Sequence, residues 1–226
     1  MSENIFVLSL GGSLIVPKEI DVKFLRDFQN LILKHIERGK KFVIITGGGC
    51  TARMYINAAK GIRELEKADY HEIGLHATRL NAEFLRVLFK EHAHPEILIN
   101  PTEKKEFEHV LFGAGWKPGF TTDYDAVLAA KTFGVKRVAN LSNIDYVYDK
   151  DPKKYKDAKP IKEMSWKELL NITGTDIYAG INIPFDPLAS QEAMKAGLEV
   201  VIMNGRDIQN LDNYLSGRGF KGTVIR

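Results

Sequence analysis

The residues best placed to do chemistry are two glycine clusters. Gly11-Gly12-Ser13 follows the apolar run Ile5-Phe6-Val7-Leu8-Ser9-Leu10. Gly47-Gly48-Gly49 follows Phe42-Val43-Ile44-Ile45 and leads into a stretch that carries Arg53. Consecutive glycines let backbone N–H groups converge on an anion without side-chain obstruction, and a helix N-terminus adds a favourable dipole. Arg53, one turn further on, is placed to add a charge-assisted contact. Two tight turns that bind nothing would need the same glycines, but two clusters after two adjacent strands favour phosphate binding. Neither GxxxxGK[ST] nor a GxGxxG that follows a strand occurs in the chain, so the two common nucleotide-binding fingerprints are excluded.

Two further junctions carry polar groups. Gly115-Trp116-Lys117-Pro118-Gly119-Phe120-Thr121-Thr122-Asp123 is a turn with hydroxyls, an ammonium and a carboxylate before a helix. Asp123 reads most simply as the N-cap of that helix, while Lys117, Thr121 and Thr122 offer donors to a phosphate or a base edge. Ser142-Asn143-Ile144-Asp145 and Tyr148-Asp149-Lys150-Asp151-Pro152 follow another strand. An aromatic beside carboxylates suits a purine and its ribose; an ordinary charged turn has the same composition, and the local residues leave both open.

The elements that must position these groups are legible from hydrophobic period. Val22, Leu25, Phe28, Leu31, Ile32 and Ile36 recur at helical spacing behind Asp21, a capping residue, with Gly39 beyond the end,. Strand, helix, strand in so short a span is a βαβ unit with parallel pairing. The alternation continues with a helix through Ile73, Ala77, Leu80, Phe84, Leu85 and Leu88, then strands at 97–99 and 110–112. An alanine-rich helix from Asp123 to Phe133 closes at Gly134, followed by a strand at 137–141,. Pro187 starts a helix, and strands at 199–203 and 223–225 complete the chain,. In parallel sheets of this kind ligands bind beyond the carboxyl ends of the strands, which is where all four junctions fall.

Composition sets the bounds. The chain has 226 residues, 44% hydrophobic and 27% charged, with a formal charge of +3. That balance, with no clustered basic arm, excludes nucleic acid as the expected partner. The single cysteine, Cys50, cannot pair within the chain, which fits a reducing cytoplasm,. No apolar run approaches the roughly 20 residues that span a bilayer, and the N-terminus lacks the pattern of a signal peptide; the expectation is a cytoplasmic protein with no membrane partner.

Taken in order, these junctions resemble the amino acid kinase superfamily, and within it the uridylate (UMP) kinases of archaeal type. The matching stretches are Leu8-Ser9-Leu10-Gly11-Gly12-Ser13; Gly47-Gly48-Gly49 with Arg53; Ile73-Gly74 with Thr78-Arg79-Leu80-Asn81-Ala82; Pro118 to Asp123; Asn143-Ile144-Asp145 with Tyr148 and Asp151-Pro152; and Asp186 with Leu188-Ala189. Together they cover nearly the whole chain. The resemblance implies a three-layer α/β/α sandwich around a mostly parallel central sheet. It implies one domain over residues 1–226, with an acceptor-binding N-terminal lobe (about 1–120) and an ATP-binding C-terminal lobe (about 121–226). The implied reaction moves the ATP γ-phosphate to UMP with Mg2+. The alternative is a catalytically silent ATP-binding member of the superfamily, similar to molybdenum-storage subunits.

Carried over by position, the resemblance puts Ser9, Gly11, Gly12, Ser13, Gly49 and Arg53 beside the ATP phosphates. Ser142, Asn143, Tyr148 and Asp151 would surround the adenosine. Gly48, His71, Gly115, Trp116, Pro118, Gly119, Phe120, Thr121 and Thr122 would line the UMP pocket, and Asp186 would organise the catalytic centre. No metal-ligand set within the chain is implied. Members commonly carry lysines where this chain has Ser9, Asn140 and Cys50, and an aspartate where it has His71; Lys117 is the candidate substitute, with Lys18 a weaker one. Members also assemble as homo-oligomers built from dimers, up to hexamers.

Overall fold

The structure is a computed structural model that describes residues 4–152, 154–174 and 183–226. The chain opens with β1 (Ile5–Leu10), a single turn α1 (Gly12–Ile15) and α2 (Val22–Ile36), whose N-cap Asp21 accepts from the Phe24 N–H at 3.0 Å. Then come β2 (Lys41–Thr46), α3 (Gly49–Lys60), α4 (Lys67–Phe89) and β3 (Val110–Gly113). The second half holds α5 (Thr122–Phe133), β4 (Arg137–Ser142), a two-strand ribbon of β5 (Val147–Tyr148) and β6 (Pro160–Ile161), then β7 (Glu163–Met164). It closes with α6 (Trp166–Thr173), α7 (Pro187–Lys195), β8 (Glu199–Asn204), α8 (Ile208–Leu215) and β9 (Thr223–Ile225).

Seven strands form one sheet in the order β3-β2-β1-β4-β8-β9-β7. The first five run parallel, and β9 lies antiparallel to β8. The chain builds outward from β1 through β2 to β3, then returns to lay β4 on the other side of β1. That reversal is the topological switch point, where an open α/β sheet leaves a crevice beyond its strand ends.

The central strands read as nearly continuous apolar runs because both faces are covered. On one face Leu8, Leu10, Phe42, Ile44, Phe112, Leu141 and Met203 pack against Phe28, Ile32, Leu85 and Leu211 from α2, α4 and α8. Their neighbours in sequence, Val7, Val43, Ile45, Leu111, Val138 and Ile202, face the opposite way onto Ala126, Ala130, Leu169 and Ala193 from α5, α6 and α7. The result is the expected α/β/α sandwich. The strand expected at residues 97–99 does not form: Leu98 makes only an isolated bridge with Gly113, because this short segment follows a turn at the sheet edge. α6 and α8 escaped the sequence reading, being only eight residues each, barely two turns in which to repeat a period.

Candidate functional site

The switch point is built from strand register. Ser9 of β1 and Asn140 of β4 are direct partners in the parallel ladder, so their side chains leave the same face at the same height. Both converge on one carboxylate: Ser9 Oγ donates to Asp123 Oδ1 at 3.0 Å, and Asn140 Nδ2 donates to the same oxygen at 2.7 Å. The expectation that Asp123 caps α5 is therefore corrected. Thr121 is the N-cap, its Oγ1 accepting from the Tyr124 N–H at 3.3 Å, and Asp123 in the first turn is left to face the strands. Burial pushes its carboxyl up to about 6; the nearby Asp186 charge pushes the same way, while the Ser9 and Asn140 bonds and the Asp186 N–H pull down.

Asp186 is the N-cap of α7, with Pro187 at the first helical position and Oδ1 accepting from the Ala189 N–H at 2.7 Å. Its carboxyl is raised by burial, against the helix N–H groups of Ala189 and Leu188. Two carboxyls that each resist ionisation, close enough to feel one another, give the pattern expected of a functional site,.

The two glycine loops touch backbone to backbone. A Cβ on Gly12 would lie 2.1 Å from Gly49 N, and one on Gly49, whose φ is +59°, would lie 2.1 Å from Gly12 O. Only glycine lets the loops approach this closely. Asn81 of α4 fixes the second loop, its Nδ2 donating to Gly47 O at 2.8 Å and Gly48 O at 3.2 Å. Among the described residues, the N–H groups of Gly12, Ser13, Gly48 and Gly49 find no partner within the chain. Unspent N–H groups opening two adjacent helices are a site for an anion. Cys50 is half-buried against the core and its N–H goes to Val16 O, so it fits as a small residue. The Ser13 carbonyl accepts from Arg206 Nη2 at 3.4 Å.

Beside the second loop opens a cavity of about 450 Å³ lined by Gly48, Gly49, Arg53, His71, Gly74, Thr78, Gly115, Lys117, Pro118, Phe120, Thr121 and Thr122. It gathers most residues expected for the acceptor together with Gly49 and Arg53. Trp116, Phe120 and Tyr124 stack beside it, with centroid separations of 5.7 and 4.7 Å, and Lys117 Nζ sits 3.8 Å from the Trp116 ring. The Trp116 N–H donates to Asp125 Oδ2 at 3.1 Å, and its carbonyl accepts from Arg79 Nη2 at 3.2 Å. Asp125 is fully buried, which lifts its carboxyl to about 7. A second cavity of about 630 Å³ is lined by Ser142, Asn143, Tyr148 and Asp151, with Ile144, Ile172, Ile183 and Pro184, bringing together the four residues expected around adenosine. A third groove, apolar and exposed, runs between α3 and α4 past Tyr55, Ile62, Ile73 and Leu80.

The fold and this geometry define the class. The chain belongs to the amino acid kinase family, whose description matches residues 4–204. It is 37% identical over 223 residues to the uridylate kinase of Thermoplasma volcanium, covering 96% of this chain and 95% of that protein. The uridylate kinase of Methanobrevibacter smithii is 34% identical over 225 residues, covering 97% of this chain and 98% of its own. The crystal structure of uridylate kinase from Archaeoglobus fulgidus matches at a TM-score of 0.81 and 28% identity, covering 99% of this chain and 100% of that one. Named as kinases, these relatives lend no support to the silent alternative.

The sequence reading missed Asp123, Asn81, Asp125 and Arg79 as site-builders. Asn81 and Arg79 stand inside the Thr78-to-Ala82 stretch that carried part of the resemblance. Asp123 was hidden behind its own capping propensity, and Asp125 gave no local signal.

Proposed function

We propose that this chain is a UMP kinase that moves the ATP γ-phosphate to the phosphate of UMP. The observation that carries the reading is the flanking of one carboxylate cluster by two cavities. The acceptor cavity ends on Thr122, next to Asp123; the donor cavity ends on Ser142 and Pro184, two residues from Asn140 and Asp186. The lobes divide accordingly: the acceptor cavity draws on residues 48–122 and the donor cavity on residues 142–184.

In this reading Gly12, Ser13 and Gly49 hold the ATP phosphates through backbone N–H groups, with Ser9 and Gly11 beside them and Arg53 adding its charge. Ser142, Asn143, Tyr148 and Asp151 hold the adenosine. Gly48, His71, Gly115, Trp116, Pro118, Gly119, Phe120, Thr121 and Thr122 hold UMP, with Lys117 supplying charge to the transferred group. Asp123 and Asp186 are hard oxygen donors of the type Mg2+ accepts. No group of three such side chains forms among the described residues, so phosphate oxygens would complete the metal's shell, as is usual in phosphoryl-transfer sites. When bound, Mg2+ supplies neutralisation of the charge on the transferred phosphoryl. The chain's part is positioning: it holds donor and acceptor in line and excludes water between them.

Met54 and Tyr55 on α3, Leu80 and Val87 on α4, and Ile62 in the turn between them are exposed, Ile62 by 86%, and α3 buries no residue at all. Covering such a face supports the homo-oligomer built from dimers. No helix among the described residues is long and apolar enough to cross a membrane. The test is ADP release, followed by a coupled assay, with ATP, Mg2+ and a panel of nucleoside monophosphates. UMP should turn over fastest; no turnover with any monophosphate, alongside clear ATP binding by calorimetry, would overturn the reading.

A further inference from the structure

Two ionic side chains meet on the backbone of a single residue, Trp116, one at its N–H and one at its carbonyl. Asp125 has no exposed surface and no ion-pair partner among the described residues. Its Oδ2 takes the Trp116 N–H at 3.1 Å, while its Oδ1 is buried with no partner. On the other side of the same residue, Arg79 gives Nη2 to the Trp116 carbonyl at 3.2 Å, and its Nε is buried with no partner. Burying a carboxylate or a guanidinium with part of its hydrogen-bonding capacity unused is expensive. Neither group recovers that expense through an ion pair; what each obtains is one end of Trp116.

The neighbouring residue is fastened as well. The Gly115 N–H donates to Thr78 Oγ1 at 2.8 Å, and Thr78 is adjacent to Arg79 on α4. At its far end the loop is anchored by Thr121, the N-cap of α5. Between these anchors lie Lys117, Pro118, Gly119 and Phe120, with Gly119 at a φ of +90°. Lys117 leans over the Trp116 ring at 3.8 Å and Phe120 stacks on it, so a displacement of the Trp116 peptide carries both side chains with it.

We propose that Asp125 and Arg79 are positioning residues that clamp the backbone of Trp116 through the peptide groups on its two sides, and so set the acceptor loop for the incoming monophosphate. The inference rests on the assignment of this loop to the acceptor. It locates acceptor selectivity partly in side chains that line no part of the cavity. Asp125 reaches the loop from α5 and Arg79 from α4, so the clamp also ties the loop to the helices on either side.

Two measurements test it in Asp125→Ala, Asp125→Asn, Arg79→Met and Arg79→Lys. The first is hydrogen exchange at the Trp116 amide in the nucleotide-free protein, which needs no turnover. Protection should fall at least tenfold in Asp125→Ala and stay within about threefold of wild type in Asp125→Asn, because Asn keeps an acceptor oxygen for the N–H. The second is steady-state kinetics. Asp125→Ala and Arg79→Met should raise KM for UMP about tenfold or more with KM for ATP changed less than twofold, and the Asn and Lys variants should recover most of the difference. Unchanged Trp116 protection in Asp125→Ala overturns the clamp, as does an equal rise in both KM values. Lost protection in a chain that turns over no monophosphate upholds the clamp and sinks the kinase assignment instead.

Discussion

Asp123→Asn separates what this carboxyl does for transfer from what it does to the fold. In the folded chain burial lifts its pKa from 3.8 to about 6, so the protonated form is the one the fold prefers. Below a pH of about 4 both folded and unfolded chains carry the proton and the fold bears no penalty. As pH rises from about 4 to about 6 the unfolded chain ionises while the folded chain keeps its proton, and stability falls by about 1.4 kcal/mol for each pH unit crossed. The interval between the two pKa values sets an upper bound of about 3 kcal/mol, complete above a pH of about 7. Asparagine keeps Oδ1 as acceptor for Ser9 and Asn140 and carries no charge. The variant should therefore match wild type in urea unfolding near pH 4 and exceed it by up to about 3 kcal/mol near pH 8. Its rate of ADP release should meanwhile drop by about 10²–10³, the usual loss when one preorganised electrostatic group leaves an active site. A stability difference that is the same at both pH values would refute the buried-charge argument. Full turnover would remove Asp123 from the transfer site.

Gly49→Ala should destabilise the chain by about 3 kcal/mol or leave it insoluble, because strain at positive φ adds to the collision with Gly12; urea unfolding checks this. Arg53 is exposed, so Arg53→Met should leave stability within about 0.5 kcal/mol while raising KM for ATP about tenfold, the value of one charge-assisted bond; an unchanged KM would remove Arg53 from the phosphate site. Asp186→Asn keeps a good helix cap and should hold its melting temperature while losing about 10²–10³ in rate, with wild-type turnover the refuting result. Asp212 accepts from His35 Nε2 at 2.8 Å, Lys34 Nζ at 3.0 Å and Arg218 Nη2 at 3.1 Å. Against the upward push of burial, Lys34 and His35 hold its carboxyl down to about 2. Asp212→Ala should therefore cost about 2 kcal/mol at neutral pH, the shift from 3.8 to about 2 at about 1.4 kcal/mol per unit,. That difference should shrink as pH falls from about 4 towards 2, where wild type loses the ionised carboxylate; a difference independent of pH would refute the ionic account.

The layers of the fold were legible because β1, β2, β4 and β8 are largely apolar and α2 repeats at helical spacing; both signals are local. Glycine clusters marked the phosphate loops for the same reason, since a close backbone approach excludes every other residue. The convergence of Ser9, Asn140 and Asp123 was not legible. It depends on register between strands distant in sequence, and a short polar side chain on a strand looks alike whether it faces a ligand or a neighbour. Asp123 misled because a carboxylate at a helix start is nearly always a cap, and only the presence of Thr121 two residues earlier, already serving that role, releases it. Asp125 shows the same limit from the other side: a carboxylate beside alanines on a helix reads as the solvent face, and here it is the most deeply buried acid of its helix.

The switch in strand order also fixes a sequence of events in time. Val7 meets Val43 in β2, and Val43 meets Leu111 in β3, but Val7 meets Val138 and Ser9 meets Asn140 only when the second half of the chain returns to β1. During synthesis the three strands on one side are therefore available long before the partner that completes the site, and closing the longer loop is the slower step. A chain interrupted before residue 137 would display the bare flank of β1, the kind of unpaired edge that recruits other chains. Nucleotide bound across β1 and β4 would favour the seam that joins the two halves of the sheet,.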